Sequence, residues 1–203
     1  MADEHGPWAP LSVGEMQAVM AGFPAPWWTA GGWAIDLALG RQTRPHGDTD
    51  IAVLRRDQPA LFHHLRGWDV QIVVNGTFAP WREGDWLEGG ERFQFWVRRD
   101  AASPWAFEVL LEETDGEDWI YRRNPAVRLP LHHFGARDAA GVPHVSPPVA
   151  LLYKSNRLTE ARNAADFESA LPTLDAAARL WLTGALEAID PGHPWIRRLA
   201  EDR

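Results

Sequence analysis

No cysteine occurs among the 203 residues, which excludes a disulfide framework and a thiolate metal site and fits a reducing compartment. Long apolar runs are missing as well. No stretch approaches the roughly 20 residues that a membrane helix needs, and the start Met1-Ala2-Asp3-Glu4-His5 is acidic where a secretory signal is basic and then apolar. A soluble, cytoplasmic protein with no membrane partner is expected. Positive charge is scarce: the formal net charge is −8, and nearly all of the excess acid lies in residues 1–145. A nucleic-acid binder gathers Lys and Arg into a stripe that neutralises phosphates. None is present, so nucleic acid is not the expected partner. Lysine is almost absent, and Lys154 stands alone against 19 arginines. Internal repeats and low-complexity tracts are also lacking.

What the chain does have is tryptophan, 12 in all, supplying flat surfaces for packing or for stacking on sugar rings. Its length suits one substantial domain with a small appendage. Periodicity predicts a helix over Leu11–Ala21, a short strand at Trp27–Ala30, a helix from Trp33 to Leu39 closed by Gly40, and strands at Ile51–Leu54 and Val70–Val74 on either side of a helix from Gln58 to Leu65. A loop or hairpin follows over Gly76–Gly90. Strands are expected at Arg92–Arg98, Trp105–Leu111 and Trp119–Arg122. After Pro147-Pro148 the pattern turns helical, at Val149–Arg157, Asp166–Leu171, Asp175–Ile189 and Trp195–Ala200. The reading is α+β: a mixed β-sheet flanked by helices over 1–145, with a small C-terminal helical region over 146–203 packed on it.

Chemistry concentrates in Gly31-Gly32 and Asp48-Thr49-Asp50. On a strand, residues i and i+2 share a face, so Asp48 and Asp50 point together and Thr49 points away. Two carboxylates so placed suit Mg²⁺, which takes a few protein oxygens and leaves positions for water and phosphate. The alternative is a polar turn after Arg44-Pro45. A third acid, Glu108, sits in Phe107-Glu108-Val109-Leu110-Leu111, where burying a carboxylate is costly without a partner; the alternative is an edge strand with Glu108 in solvent. Arg41, Arg44 and His46 suit triphosphate oxygens and local acids such as Asp36 equally. Lys154 follows an apolar helix start and suits nucleotide phosphates, or a surface position reached by snorkelling.

Gly31-Gly32, Asp48-Thr49-Asp50 and Phe107-Glu108-Val109 together resemble the polymerase-β-like nucleotidyltransferase superfamily. Gly31-Gly32-Trp33-Ala34-Ile35-Asp36 with Gly40-Arg41-Gln42-Thr43-Arg44-Pro45-His46 is similar to the aminoglycoside 2″-adenylyltransferase and lincosamide nucleotidyltransferase group, over about Trp28 to Leu171. The resemblance implies a nucleotidyltransferase fold, Mg²⁺ ions, two of them, and ATP or another nucleoside triphosphate as donor. On it, Gly31 and Gly32 at a helix start cradle the triphosphate, Asp48 and Asp50 hold metal, and Glu108 joins the second metal and takes the acceptor hydroxyl's proton. Lys154 matches the group's helix lysine. Where the group carries Lys-Asp-x-x-Asp-Phe, this chain reads Arg162-Asn163-Ala164-Ala165-Asp166-Phe167 and keeps Asp166. Arg122-Arg123 resembles a recurring element of the group and is expected to be a solvated charge pair.

The expected reaction moves AMP onto a hydroxyl of a small antibiotic, an aminoglycoside or a lincosamide. Glu83, Asp85, Trp86, Glu88 and Glu91, with Glu112 and the acids that follow it, are expected to form an acidic, aromatic mouth for a cationic acceptor, or else a solvated loop. The competing readings are a toxin-like or regulatory nucleotidyltransferase acting on protein or tRNA, and a catalytically idle nucleotide-binding module.

Overall fold

Strict alternation along one long strand organises the molecule. The computed structural model describes residues 5–201. Its elements are α1 (Val13–Val19), β1 (Trp27–Thr29), α2 (Gly31–Leu39), β2 (Asp50–Leu54), α3 (Gln58–His64), β3 (Asp69–Val74), β4 (Thr77–Pro80), β5 (Gln94–Arg98) and β6 (Trp105–Asp115). There follow β7 (Asp118–Ile120), β8 (Arg128–Pro130), β9 (Gly135–Arg137), β10 (Pro143–Val145), α4 (Pro147–Lys154), α5 (Ala161–Ala170), α6 (Ala176–Glu187) and α7 (Pro194–Glu201). The sheet runs β4-β3-β5-β6-β2-β1-β10-β9, with β7 and β8 hanging from the far end of β6. β2 lies parallel to β6 and β1 parallel to β10, and the remaining neighbours are antiparallel. The fold is α+β, with a mixed sheet flanked by helices.

The two faces of the sheet bury different things. Ile51 and Val53 of β2, and Phe107, Val109 and Leu111 of β6, join Met16 of α1, Leu61 of α3, Trp81, Leu87 and Phe95 in one apolar cluster. On the other face Ala52 packs with Ala34 and Ile35 of α2 and with Val149, Leu151, Phe167, Leu182 and Leu199 of the later helices. Glu108, Leu110 and Glu112 alternate with the first set and therefore turn toward the helix-covered face.

Three features of the strands have simple causes. β6 runs four residues beyond Leu111 because Glu113–Asp115 pair with β7 across an acidic hairpin. Of the loop or hairpin expected after Val74 the structure forms a hairpin at its start, since Asn75, at φ 49°, and Gly76, at φ 76°, turn β4 back on β3, the left-handed pair that such turns require. β8, β9 and β10 are three residues each, too short to show a period. β10 nevertheless completes the sheet beside β1, and Pro147 then starts α4 at the position where a helix tolerates proline.

Candidate active site

Glu108 is central, because β6 is flanked by β5 and β2. Its Cα is paired directly with that of Asp50 across the parallel β2–β6 ladder. The backbone builds this junction: Ala30 N–H donates to the Asp50 carbonyl at 2.8 Å, and Glu108 N–H donates to the Thr49 carbonyl at 2.9 Å. Thr49 points to the opposite face, where its Oγ1 donates to the Leu11 carbonyl at 2.6 Å. Asp48 lies in the approach to β2 and Asp50 begins the strand. Both line, with Glu108, one cavity of about 290 Å³.

Gly31 is fixed by what sits against it. Its φ is +61°, and a Cβ there would stand 2.1 Å from Asp50 Oδ2, so a side chain is refused by both backbone and carboxylate. At Gly32 a Cβ would meet Arg44 Nη2 and His46 Nδ1, each at 2.4 Å. The pair thus lets the loop preceding β2 close onto the start of α2. No side chain caps that helix start, and Ala30, Gly31 and Gly32 line the cavity, a placement suited to receiving an anion.

The electrostatics mark the acids out. Burial pushes the Asp50 carboxyl up to about 7; the Asp48 charge adds to this, while Lys154 and Arg162 pull the other way. Glu108 is held well above the usual carboxylate range by burial, then by Asp50 and Asp48, with Arg122 opposing. Asp50 Oδ1 is buried with no hydrogen-bond partner. A divalent cation would supply the missing counter-charge, and hard carboxylate oxygens are its natural donors, so the residues present fit a metal. As they stand the three carboxylates do not close on a single point: among the described residues no three His, Asp or Glu side chains are grouped closely enough to hold an ion.

The other expected residues divide. Arg44 and Lys154 reach the cavity, and both are gripped by Asp166, which is 1% exposed. Arg44 Nε and Nη2 donate to its two oxygens at 2.8 and 2.9 Å, and Lys154 Nζ lies 2.7 Å from Oδ2. Arg41 is exposed just past α2 and does not line the cavity. His46 also stays outside it: Nε2 donates to Asp36 Oδ2 at 2.5 Å and the ring lies against Trp33, 4.4 Å between centroids. Asp36 accepts from Thr43 as well, through N–H at 3.0 Å and Oγ1 at 2.5 Å. Asp36 therefore ties down the whole 41–46 loop, and His46 is used in positioning.

The acidic mouth is corrected. Glu83, Asp85, Trp86 and Glu88 do not line the cavity, because their loop is anchored on the opposite face of the sheet. Trp81 stacks on Phe95 at 4.2 Å and Leu87 N–H donates to Gln58 Oε1 at 2.9 Å. Glu91 accepts from Asn75 Nδ2 at 2.7 Å. Only Glu112 of that set reaches the cavity, buried, with Oε2 accepting from Tyr153 Oη at 2.6 Å and from Trp119 Nε1 at 2.7 Å. Burial raises its carboxyl pKa against those two bonds.

With this geometry in place, comparison with known proteins is informative. The family model described as aminoglycoside-2″-adenylyltransferase matches residues 12–79, from α1 through the Asp48-Thr49-Asp50 segment to β4. Among solved structures, ANT(2″)-Ia in complex with adenylyl-2″-tobramycin is 18% identical, with a TM-score of 0.57, over 87% of this chain and 96% of that one. The lincosamide antibiotic adenylyltransferase LnuA, lincomycin-bound, is 14% identical, with a TM-score of 0.53, over 77% and 92%. An antigenic nucleotidyltransferase-like protein from Paracoccidioides brasiliensis is 16% identical, with a TM-score of 0.51, over 95% of each chain. At such identities the likeness shows the nucleotidyltransferase fold, and the family match supports the enzyme class. No curated protein matches the sequence.

Several residues of the cavity escaped the sequence reading. Phe93, Gln94, Tyr153, Asn156, Arg157 and Glu160 all line it, yet each sits in an unremarkable local pattern. Arg122 is corrected: it is half-buried against Phe93 inside the cavity, whereas Arg123 is exposed at the rim. Its place after Trp119-Ile120-Tyr121, where a strand ends, and its resemblance to a recurring element of the group were the hints.

Proposed function

We propose that the protein transfers a nucleotidyl group, AMP from ATP, to a hydroxyl of a small-molecule antibiotic of the aminoglycoside or lincosamide kind. The observation that carries the reading is the direct pairing of Asp50 with Glu108 across β2–β6, in a cavity that also holds Asp48 and the uncapped start of α2.

In this reading the N–H groups at Gly31 and Gly32 receive phosphoryl oxygens, with Arg44 and Lys154 beside them. Asp48, Asp50 and Glu108 are the residues that would hold Mg²⁺. When bound, the ion neutralises phosphate charge and lowers the barrier to displacement at phosphorus. Glu108 orients the acceptor hydroxyl and takes its proton, for which a carboxyl pKa raised by burial is suited. The hydroxyl oxygen bonds to the α-phosphorus, the bond from that phosphorus to the bridging oxygen breaks, and pyrophosphate leaves. Most of the acceleration comes from alignment and fixed charge.

Purified protein with Mg²⁺, each of the four common nucleoside triphosphates, and panels of aminoglycosides and lincosamides tests the proposal by pyrophosphate release. Acceptor-dependent release with ATP is expected. Release with no pair would overturn the antibiotic assignment.

A further inference from the structure

Six cationic side chains line the cavity, and five are already engaged by the protein. Arg44 and Lys154 are held by Asp166, and Arg157 and Arg162 by Glu160. Arg123 donates from Nη1 to Tyr121 Oη and to the Tyr153 carbonyl, both at 3.1 Å. Arg122 differs. Its guanidinium carbon lies 3.5 Å from the Phe93 ring centroid and 5.7 Å from that of Tyr153, and among the described residues its N–H groups meet no protein acceptor.

That arrangement has a chemical meaning. A guanidinium laid flat on a ring has its plane fixed, while its N–H edges remain free and point outward in a fork that matches oxyanion geometry. The Arg122 charge is felt at both Glu108 and Glu112, which puts it over the stretch of β6 that carries the reacting end. Neither carboxylate neutralises it by hydrogen bonding, and Glu112 Oε2 is instead occupied by Tyr153 and Trp119. A half-buried cation left without an ionic partner is costly unless a ligand supplies the anion. The aminoglycosides and lincosamides proposed as acceptors bear hydroxyls and amines, whereas the donor is a polyanion.

We propose that Arg122, oriented by Phe93, is a donor-binding residue that contacts a phosphoryl oxygen of the bound nucleoside triphosphate. The proposal rests on the nucleotidyl-transfer reading above.

Titrating a non-hydrolysable α,β-methylene ATP analogue with Mg²⁺ into the wild type, Arg122→Met and Arg122→Lys tests it by calorimetry, with acceptor KM measured beside. Methionine keeps much of the apolar stem, and melting temperatures show whether each variant is folded. Expected is analogue binding weakened by at least about tenfold in Arg122→Met, partial recovery in Arg122→Lys, and an unchanged acceptor KM. Analogue binding in Arg122→Met equal to wild type would overturn the proposal, and so would a raised acceptor KM with donor binding intact, which would move Arg122 to the acceptor. A wild type that binds no analogue would instead overturn the nucleotidyl-transfer reading itself.

Discussion

Asp50 combines three features that rarely coincide on a surface residue: a buried unpartnered oxygen, a Cα paired with that of a second acid, and a glycine pressed against the other oxygen. Asp50→Asn should abolish turnover while leaving the fold intact. It should also change how stability depends on pH. The Asp50 carboxyl titrates at about 7 when folded, against 3.8 as its ordinary value, so between those limits the folded chain binds the proton more tightly than the unfolded chain. Stability of the wild type without divalent ions should fall as pH rises from about 4 to 7, and Asn should remove part of that fall. Melting curves at pH 4 and 8 in chelator check this. An unchanged pH slope in the variant would mean that Asp50 is not the strained carboxylate. The sequence made Asp48, Asp50 and Glu108 legible because acids beside apolar strand residues are conspicuous. Arg122 was not, since an Arg-Arg pair reads the same whether solvated or stacked on a ring supplied from thirty residues away.

At the scale of elements, the start of α2 and the α5 anchor carry the site. Gly31→Ala forces a left-handed φ on a residue with a side chain and drives its Cβ into Asp50 Oδ2. It should destabilise the fold by about 2 kcal/mol and lower kcat/KM sharply; near-normal activity would mean that the junction of β1, α2 and β2 is slack. Asp166 joins α5 to both the loop before β2 and the end of α4. Burial alone would raise its pKa, but the bonds from Arg44 and Lys154 together outweigh it and hold it below the ordinary value. The stabilisation it provides is therefore present above the unfolded-state pKa of about 4 and is lost as pH falls through the folded value. Asp166→Asn should cost about 3 kcal/mol at pH 7, with the gap from wild type closing in acid, and should weaken triphosphate binding by loosening two cations at once. Denaturant titrations at pH 7 and pH 3 measure it; an equal gap at both would contradict the ion-pair account. The helices and longer strands were readable from their periods. The start of α5 at Ala161 was not, because its first turn has no apolar stripe, and the three-residue strands carry no period at all.

For the whole molecule, the division of the sheet into two faces decides which charges matter. The acids of the 83–91 segment looked like an acceptor mouth by composition, but Trp81 and Leu87 fasten their loop to the face away from the cavity. Sequence distance and charge count do not reveal which face a loop covers. Among the described residues no helix is long and apolar enough to cross a membrane. The proposed reaction makes a single demand: the triphosphate's nucleotidyl group must end on the acceptor. Mass spectrometry of the acceptor after incubation with ATP and Mg²⁺ measures this directly. The account predicts an acceptor carrying one AMP, formed with one pyrophosphate and absent with Asp50→Asn. ATP converted to ADP and phosphate with the acceptor unmodified would contradict it.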